Sequence, residues 1–268
     1  MERQAMSARA ARPSQRWLVY ELLRRELVQR YAGSVTGMAW TFLQPLAQLA
    51  LFAFIFSQVF RATVPPEYPG VTYIAFVAVA IWPWTLFSES ILRGMAAITA
   101  NAGVIRKVAL PSEVFVYAAV GACCVVHVVG FVAVLLVLRA CGEAIHLAAI
   151  PVAVALLVPY VLLATGIALV LAALQTLVKD VEHGTGIVLS IVFYATPILY
   201  PLTLVPERWR GALSWSPLAW LTTRIRDVLI GTPSFEAADF AVLVACALVF
   251  AAGLWMFRRL SPYFEDFL

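Results

Sequence analysis

The chain has 268 residues, of which 63% are hydrophobic and 13% are charged, and its formal net charge is +4. A soluble domain of this size cannot bury so large an apolar fraction, so the composition excludes a soluble globular protein and predicts an all-α, polytopic membrane protein. The apolar runs do not alternate in polarity, which excludes a membrane β-barrel. The basic residues flank apolar runs or are scattered, which indicates membrane topology and lipid contact rather than nucleic-acid binding.

The first structured segment is predicted at 15–31, where QRWLVYELLRRELVQRY mixes apolar and charged residues at helical spacing. We expect an amphipathic interface helix on the cytoplasmic membrane surface that contacts a partner protein; a simple lipid-surface anchor is the alternative. The expected apolar face carries Tyr20, Leu23, Leu27 and Tyr31. Its candidate interface residues are Arg24, Arg25 and Arg30, and Gly33 and Gly37 bound a flexible elbow after it.

Six apolar runs predict six transmembrane helices, which together form a domain over 38–260 between a cytoplasmic N-terminal segment (1–37) and a cytoplasmic tail (261–268). The runs are 38–60, 71–88, 114–138, 147–178, 185–200 and 240–257. Pro83 is expected to bend or break the second helix near its end. Most Lys and Arg residues lie before the first run, in 89–113, in 175–186 or after 257, so the positive-inside rule places both termini in the cytoplasm.

The polar connections between these runs differ in character. Residues 89–112 are too mixed to span a membrane and predict a short amphipathic helix in a cytoplasmic loop, with an ordinary connector as the alternative. Residues 179–183 (KDVEH) predict a solvated turn without metal-ligand spacing. The stretch 201–235 is rich in aromatic residues and proline and predicts short re-entrant helices in the outer leaflet.

Several chemistries are missing from the sequence. No Gly-Lys-[Ser/Thr] motif can hold ATP, and no metal-ligand set or hydrolase motif occurs. The predicted spans carry no Asp, Glu, Lys or Arg in their cores, which argues against an ion-coupled carrier. His127 is expected to form a hydrogen bond inside the helix bundle, and it has no nearby acid that would make it catalytic. Any energy for transport must therefore come from another chain.

Four stretches resemble one known family. They are ELLRRELVQRYAGSVTGMAWTFLQPL (21–46), ANAGVIRKVALPSEVF (100–115), the segment 195–233 and the C-terminal FRRLSPYFEDFL. They are similar, in order, to the permease subunits of type-2 ATP-binding-cassette exporters of O-antigen, capsule or teichoic acid. The sequence departs from the family at Trp215-Ser216-Pro217, where Asn-Pro is commoner.

The resemblance implies a homodimer in the bacterial inner membrane, with two copies of a separate ATPase that bind the ATP and Mg. It implies a coupling helix at about 97–110 that inserts into the ATPase. Its candidate contact residues are Asn101, Val104, Ile105, Arg106 and Lys107. The cargo would be a glycan on a lipid carrier, and 201–232 would gate the outer side.

Two groups of residues are candidates for contact with the cargo. Aromatic side chains can line a sugar path or form an ordinary interfacial belt. These are Phe193, Tyr194, Tyr200, Trp209, Trp215 and Trp220. Arg224 and Arg226 are candidates for pyrophosphate, and the alternatives are pairing with Asp227 or Glu207, or contact with lipid headgroups. Alternative functions are an exporter of a drug or small lipid, a membrane-embedded glycosyl- or acyltransferase, and a scaffold.

Overall fold

The computed structural model describes residues 15–31, 37–106, 110–233 and 236–267. Within these ranges the chain is helical and contains no strand. The helices are α1 (Gln15–Tyr31), α2 (Gly37–Ala53), α3 (Tyr73–Ala100), α4 (Ala102–Ile105), α5 (Glu113–Ala140), α6 (Ile150–Ala155), α7 (Leu157–Leu177), α8 (Val181–Ala195), α9 (Glu207–Ser214), α10 (Pro217–Ile230), α11 (Ala237–Leu260) and α12 (Phe264–Phe267). The elbow at 33–36 lies outside the described residues.

Four segments are long and apolar enough to cross a membrane: Tyr73–Ala100, Glu113–Ala140, Leu147–Leu177 and Ala237–Tyr263. Two shorter apolar helices, Pro45–Val59 and Val181–Ala195, accompany them. The chain is therefore a multi-pass, helical membrane protein. Inside a bilayer the backbone N–H and C=O groups need hydrogen-bond partners within their own segment, and a helix provides them.

Helix α3 forms the centre of the bundle. It packs most extensively against α7 and α5, and α7 in turn packs against α11. Between Ala75 and Trp84 every residue of α3 is buried. Its 28 residues correspond to about 42 Å of helix, more than the hydrocarbon core of about 30 Å. One end of α3 therefore reaches beyond the apolar layer toward the connection at Asn101.

The helix that contains the second apolar run continues beyond Ser88, so the predicted break near Pro83 is wrong. Pro83 lies inside α3, and the helix continues through 89–100, which the sequence analysis had assigned to a loop helix. Neighbouring helices re-satisfy the carbonyl that a buried proline leaves free, so a proline need not end a membrane helix. The polar turn predicted at 179–183 is also shorter than expected, since α8 begins at Val181.

Backbones approach closely where α7 crosses α11. A Cβ atom added to Gly253 would lie 2.2 Å from the carbonyl oxygen of Gly166, and one added to Gly166 would lie 2.7 Å from the Cα of Phe250. Only glycine fits at both positions. In membranes, where lipid is as apolar as leucine, such small-residue contacts are a main source of helix association.

Helix α1 has the bounds predicted from the sequence and packs along α5. Most of the partly covered side chains follow helical spacing: Val19, Leu22, Leu23, Glu26 and Leu27, with Glu21 covered as well. The predicted apolar face is wrong at Tyr20, which is 60% exposed. Leu23 is placed as predicted, and its Cδ1 would lie 2.9 Å from a Cβ at Gly121 of α5. The helix therefore docks on the bundle as well as presenting a polar surface.

Candidate functional site

A sharp connection joins α3 to α5 through the single helical turn of α4. Asn101 ends α3, and its side-chain Nδ2 donates to the carbonyl oxygen of Ala97 at 2.9 Å. Asn101 is buried, whereas Gly103 and Arg106 are exposed. A Cβ at Gly103 would meet no atom within 4 Å. This turn is therefore compact, and a side chain at position 103 would face open space in the described part of the chain.

Two of the predicted coupling residues face the protein itself. Val104 and Ile105 are partly buried and pack against a core cluster that includes Ala97, Ile98 and Phe115. Within the predicted coupling segment 97–110, the described helical residues are the end of α3, which includes Ala97, and the four residues of α4; 107–109 lie outside the described residues. Lys107 lies outside the described residues.

Basic side chains of α1 add to the exposed surface of the chain. Arg24 and Arg25 are exposed, while the side chain of Arg30 lies outside the described residues. Because the covered side chains of α1 contact α5, these two guanidinium groups point away from the bundle.

A polar cluster links α3 to α5 in the middle of both helices. Nε2 of His127 lies 2.6 Å from one carboxylate oxygen of Glu89, and Nε of Arg93 donates to the other at 2.6 Å. The expectation that His127 has no nearby acid is wrong, since 89–93 belongs to the long helix α3. The hydrogen bond expected for His127 is confirmed. Its ring is 1% exposed, so it lies in the interior of the bundle.

At the opposite end of the bundle, Arg224 connects α10 to the beginning of α11. Its Nε donates to Asp239 at 2.7 Å, and its Nη2 lies 3.1 Å from Glu236. The guanidinium also lies over the ring of Trp220, whose Nε1 donates to the same Asp239 carboxylate at 2.8 Å. Glu236 and Asp239 form a capping box at the first turn of α11. One charge network thus positions α10 against α11.

Arg226, two residues further, is 2% exposed. It donates to the backbone oxygens of Phe76 (3.1 Å), Pro197 (2.5 Å) and Ile198. Its guanidinium carbon lies 3.7 Å from the ring centre of Phe76. Carbonyl acceptors and an aromatic face together compensate the buried charge. Arg226 therefore joins α10 to the first turn of α3 and to the turn that follows α8.

Tyr68 adds a third contact to α10 from the connection between α2 and α3. Its hydroxyl donates to Oδ1 of Asp227 at 2.9 Å. Burial, and then the carboxylate of Asp227, raise the pKa of Tyr68 above its ordinary value. The phenol therefore remains protonated and keeps donating at physiological pH.

The two arginines proposed for pyrophosphate thus have intramolecular partners. Arg224 is bound by acidic side chains, and Asp227 is among them at 3.8 Å, as one of the alternatives expected. Arg226 is enclosed by carbonyls and aromatic rings. A pyrophosphate would have to displace these contacts, so the geometry does not support that interpretation.

The predicted aromatic path divides into buried and exposed members. Phe193 is buried, with its ring 5.8 Å from Phe52 and 5.5 Å from Trp84. Trp220 is partly buried and bonded to Asp239. Tyr194, Trp209 and Trp215 are 63%, 58% and 88% exposed. Tyr200 is partly buried, and its hydroxyl donates to the carbonyl of Tyr194 at 2.8 Å.

The sequence matches a family model described as ABC-2 type transporter over residues 18–230. This chain belongs to the ABC-2 type transporter family. It is a membrane permease, and permeases of ATP-binding-cassette type associate with a nucleotide-binding ATPase.

Named relatives resemble this ABC-2 permease over nearly their whole length. The O-antigen export system permease protein RfbA of Myxococcus xanthus is 29% identical over 248 residues, which cover 90% of this chain and 89% of the relative. A protein of the same name from Klebsiella pneumoniae is 26% identical over 257 residues, covering 94% and 95%. The polysialic acid transport protein KpsM of Escherichia coli is 22% identical over 253 residues, covering 94% and 96%.

Sequence reasoning missed several residues that organise this ABC-2 permease. Glu89 and Arg93 have the i,i+4 spacing of a helical ion pair, which was the available signal. Tyr68 and Asp239 gave no comparable signal, because their partners lie 159 and 15 residues away.

Proposed function

We propose that this ABC-2 permease is the transmembrane subunit of an exporter that moves a lipid-linked polysaccharide across the bacterial cytoplasmic membrane. The observation that carries the proposal is the coverage of the relatives. Two proteins named for O-antigen export and one named for polysialic acid transport align with about nine tenths or more of this chain and of themselves. If the relatives matched only the segment that couples to the ATPase, a polysaccharide would not be favoured as cargo over a drug or a small lipid.

The proposed topology has six spans and both termini in the cytoplasm. The four long apolar helices and the two shorter ones, Pro45–Val59 and Val181–Ala195, provide six crossing segments. An even number of spans places α1 and α12 on the same side. The excess of basic residues before the first span favours the cytoplasm for that side. In this orientation α4 is cytoplasmic, and α9 and α10 lie at the outer leaflet.

Two copies of the chain are proposed to enclose the path. Helix α8 leaves Ile187, Val188, Ile191 and Tyr194 on one exposed stripe, with little cover from its own chain. Charged side chains are scarce on this surface, so a hydroxyl-rich polymer would meet no strongly attractive site that traps it. Exposed aromatic rings at Tyr194, Trp209 and Trp215 offer faces on which sugar rings can slide.

ATP hydrolysis is proposed to occur on two copies of a separate ATPase, which also bind Mg. The exposed tip of α4, with Gly103 and Arg106, would insert into that ATPase, and Arg24 and Arg25 would contact it or the lipid beside it. Because α4 directly follows the most buried helix, movement of its tip would be transmitted to the centre of the bundle.

The test is inactivation of the chain in its host. We expect lipid-linked glycan to accumulate on the cytoplasmic side, with loss of the surface polymer, and the same phenotype from an inactive partner ATPase. Restoration by the intact chain excludes an indirect effect. Unchanged surface polysaccharide, together with sensitivity to a drug or an altered lipid composition, would replace the proposed cargo with a small molecule or lipid.

A further inference from the structure

An open cavity of about 650 Å³ lies where the first apolar helix ends. Its volume falls within the range of about 300–1,000 Å³ that is usual for small-molecule sites. The lining comes from four chain segments: the end of the first span, the connection at 61–67, the first residue of α3 and the turn at 199–204. The side chains used in the argument below are Phe56, Phe60, Arg61, Glu67, Tyr73 and Tyr200.

An unusual backbone forms one wall of the cavity. Helix α2 is followed by a π-helical turn over Phe54–Val59, and Arg61 then adopts a φ of 50°. The amide of Phe60 donates to Ile55 at 2.9 Å, and the amide of Ala62 donates to Phe56 at 2.7 Å. A positive φ at a non-glycine residue is costly, and π-turns occur frequently at functional sites. Here both features direct the chain around the cavity.

Aromatic rings make this wall rigid before any ligand arrives. The ring of Phe56 stacks on Tyr73 with centroids 5.7 Å apart, and Phe60 lies 5.5 Å from Phe56. The hydroxyl of Tyr73 donates to the carbonyl of Leu199 at 2.6 Å, which fixes the opposite wall. Tyr200 is held by its own bond to Tyr194. A preformed site loses less conformational entropy on binding.

Two charged side chains of opposite sign stand at this cavity. Arg61 and Glu67 are both exposed, and neither forms an ion pair with another residue in the described part of the chain. Another acidic group in this region already accepts hydrogen bonds: Glu143 accepts from the backbone amide of Thr72 at 3.0 Å and from its hydroxyl at 2.6 Å. The guanidinium can donate, and the carboxylate can accept, without breaking an existing bond.

We propose that this cavity binds a pyranose unit of the exported polysaccharide at the outer mouth of the permease. The assignment rests on the proposed function. Aromatic rings suit the C–H face of a sugar, Glu67 suits neighbouring hydroxyls, and Arg61 suits ring or hydroxyl oxygens. Because the charges of Arg61 and Glu67 are opposite, these two side chains give the cavity no net charge that would favour an anionic lipid headgroup over a neutral sugar.

The experiment measures saturation-transfer NMR of the purified permease–ATPase complex in nanodiscs, with oligosaccharides released by mild acid from the host's own surface polysaccharide. Phe60→Ala is expected to lower the affinity about tenfold, as truncation of an aromatic anchor does. Glu67→Gln and Arg61→Gly are expected to lower it several-fold, and glycine tolerates the positive φ at Arg61. The matched control is Phe240→Ala, since Phe60 and Phe240 are 68% and 70% exposed.

The site is overturned if Phe60→Ala, Glu67→Gln and Arg61→Gly bind like Phe240→Ala. It is also overturned if phosphatidylglycerol in the nanodisc displaces the sugar, because the cavity is then a headgroup site. Failure of the proposed function has a different signature: the surface polysaccharide remains normal after inactivation of the whole chain. Blocked export combined with unaltered binding by the three variants rejects the cavity assignment alone.

Discussion

Nε2 of His127 lies 2.6 Å from Oε2 of Glu89, so that the middle of α5 is tied to the middle of α3. The same carboxylate accepts from Arg93 one helical turn away. These are the two helices on either side of the α4 turn. The contact therefore holds together the pair of helices that would receive a movement from the ATPase.

His127→Ala is expected to destabilise the permease by about 2 kcal/mol, because it opens a cavity and removes the hydrogen-bond partner that Glu89 has on α5. Glu89→Gln retains a side-chain oxygen as a partner for His127 and is expected to destabilise the permease less than His127→Ala does. The unfolding midpoint in detergent measures both effects. His146→Ala is the control, since that side chain is exposed. Equal midpoints for His127→Ala and His146→Ala would show that the buried contact adds no stability.

Arg226→Met is expected to reduce the folded yield severely, at a cost of about 3–5 kcal/mol, because three buried carbonyls lose their charged donor. Arg226→Lys retains the positive charge but lacks the planar guanidinium group with its five donors, so it is expected to be only partly more stable than Arg226→Met. Yield and size-exclusion profiles of the membrane extract give the readout. Arg208→Met, at an exposed position of α9, is expected to behave like the wild type. Comparable yields for Arg226→Met and Arg208→Met would refute the role of Arg226 as an anchor.

Gly253→Ala is expected to separate α11 from α7, since the new methyl group would lie 2.2 Å from a backbone oxygen. Backbone cannot move aside as a flexible side chain can, so a loss of more than about 2 kcal/mol is expected. The methyl group of Gly186→Ala would meet no atom within 4 Å. This variant is expected to be as stable as the wild type, or more stable by up to about 1 kcal/mol because alanine has the higher helix propensity. Thermal unfolding of the two variants in parallel tests the crossing, which is rejected if Gly253→Ala is as stable as Gly186→Ala.

Arg106→Glu is expected to leave the permease folded while it weakens co-purification of the ATPase and ATP turnover by about tenfold, since the exposed side chain would present the wrong charge. Val104→Asp is a less specific test, because Val104 packs against the chain's own core and the variant disturbs the fold. Arg139→Glu, at the opposite end of α5, is the charge-matched control. Normal ATPase binding by Arg106→Glu would exclude the tip of α4 from the contact.

The sequence predicted those parts of the fold that depend on local pattern. Helix α1 begins and ends at the predicted residues because its apolar and charged residues alternate at helical spacing. The end of α3 was misjudged because Pro83 breaks isolated helices, whereas in a packed bundle the neighbours compensate. The contact between Glu89 and His127 joins residues 38 positions apart. No local sequence pattern shows which helices will pack against each other.

The candidate site was less predictable for the same reason. Arg226 was a candidate for pyrophosphate because a guanidinium group suits bidentate phosphate contact. Its acceptor at Phe76 is 150 residues away. The exposed aromatics Trp209 and Trp215 were identified from composition alone, but the cavity beside Phe60 depends on a π-turn and on a positive φ, and neither leaves a recognisable sequence motif.

The three acceptors of Arg226 also constrain the order in which the protein assembles. Phe76 leaves the ribosome early, and Pro197 and Ile198 follow much later, so no complete set of acceptors exists until α8 has entered the bilayer. An uncompensated guanidinium would remain in the aqueous headgroup layer. During biogenesis of this permease, α10 should therefore dock only after α3 and α8 have been inserted.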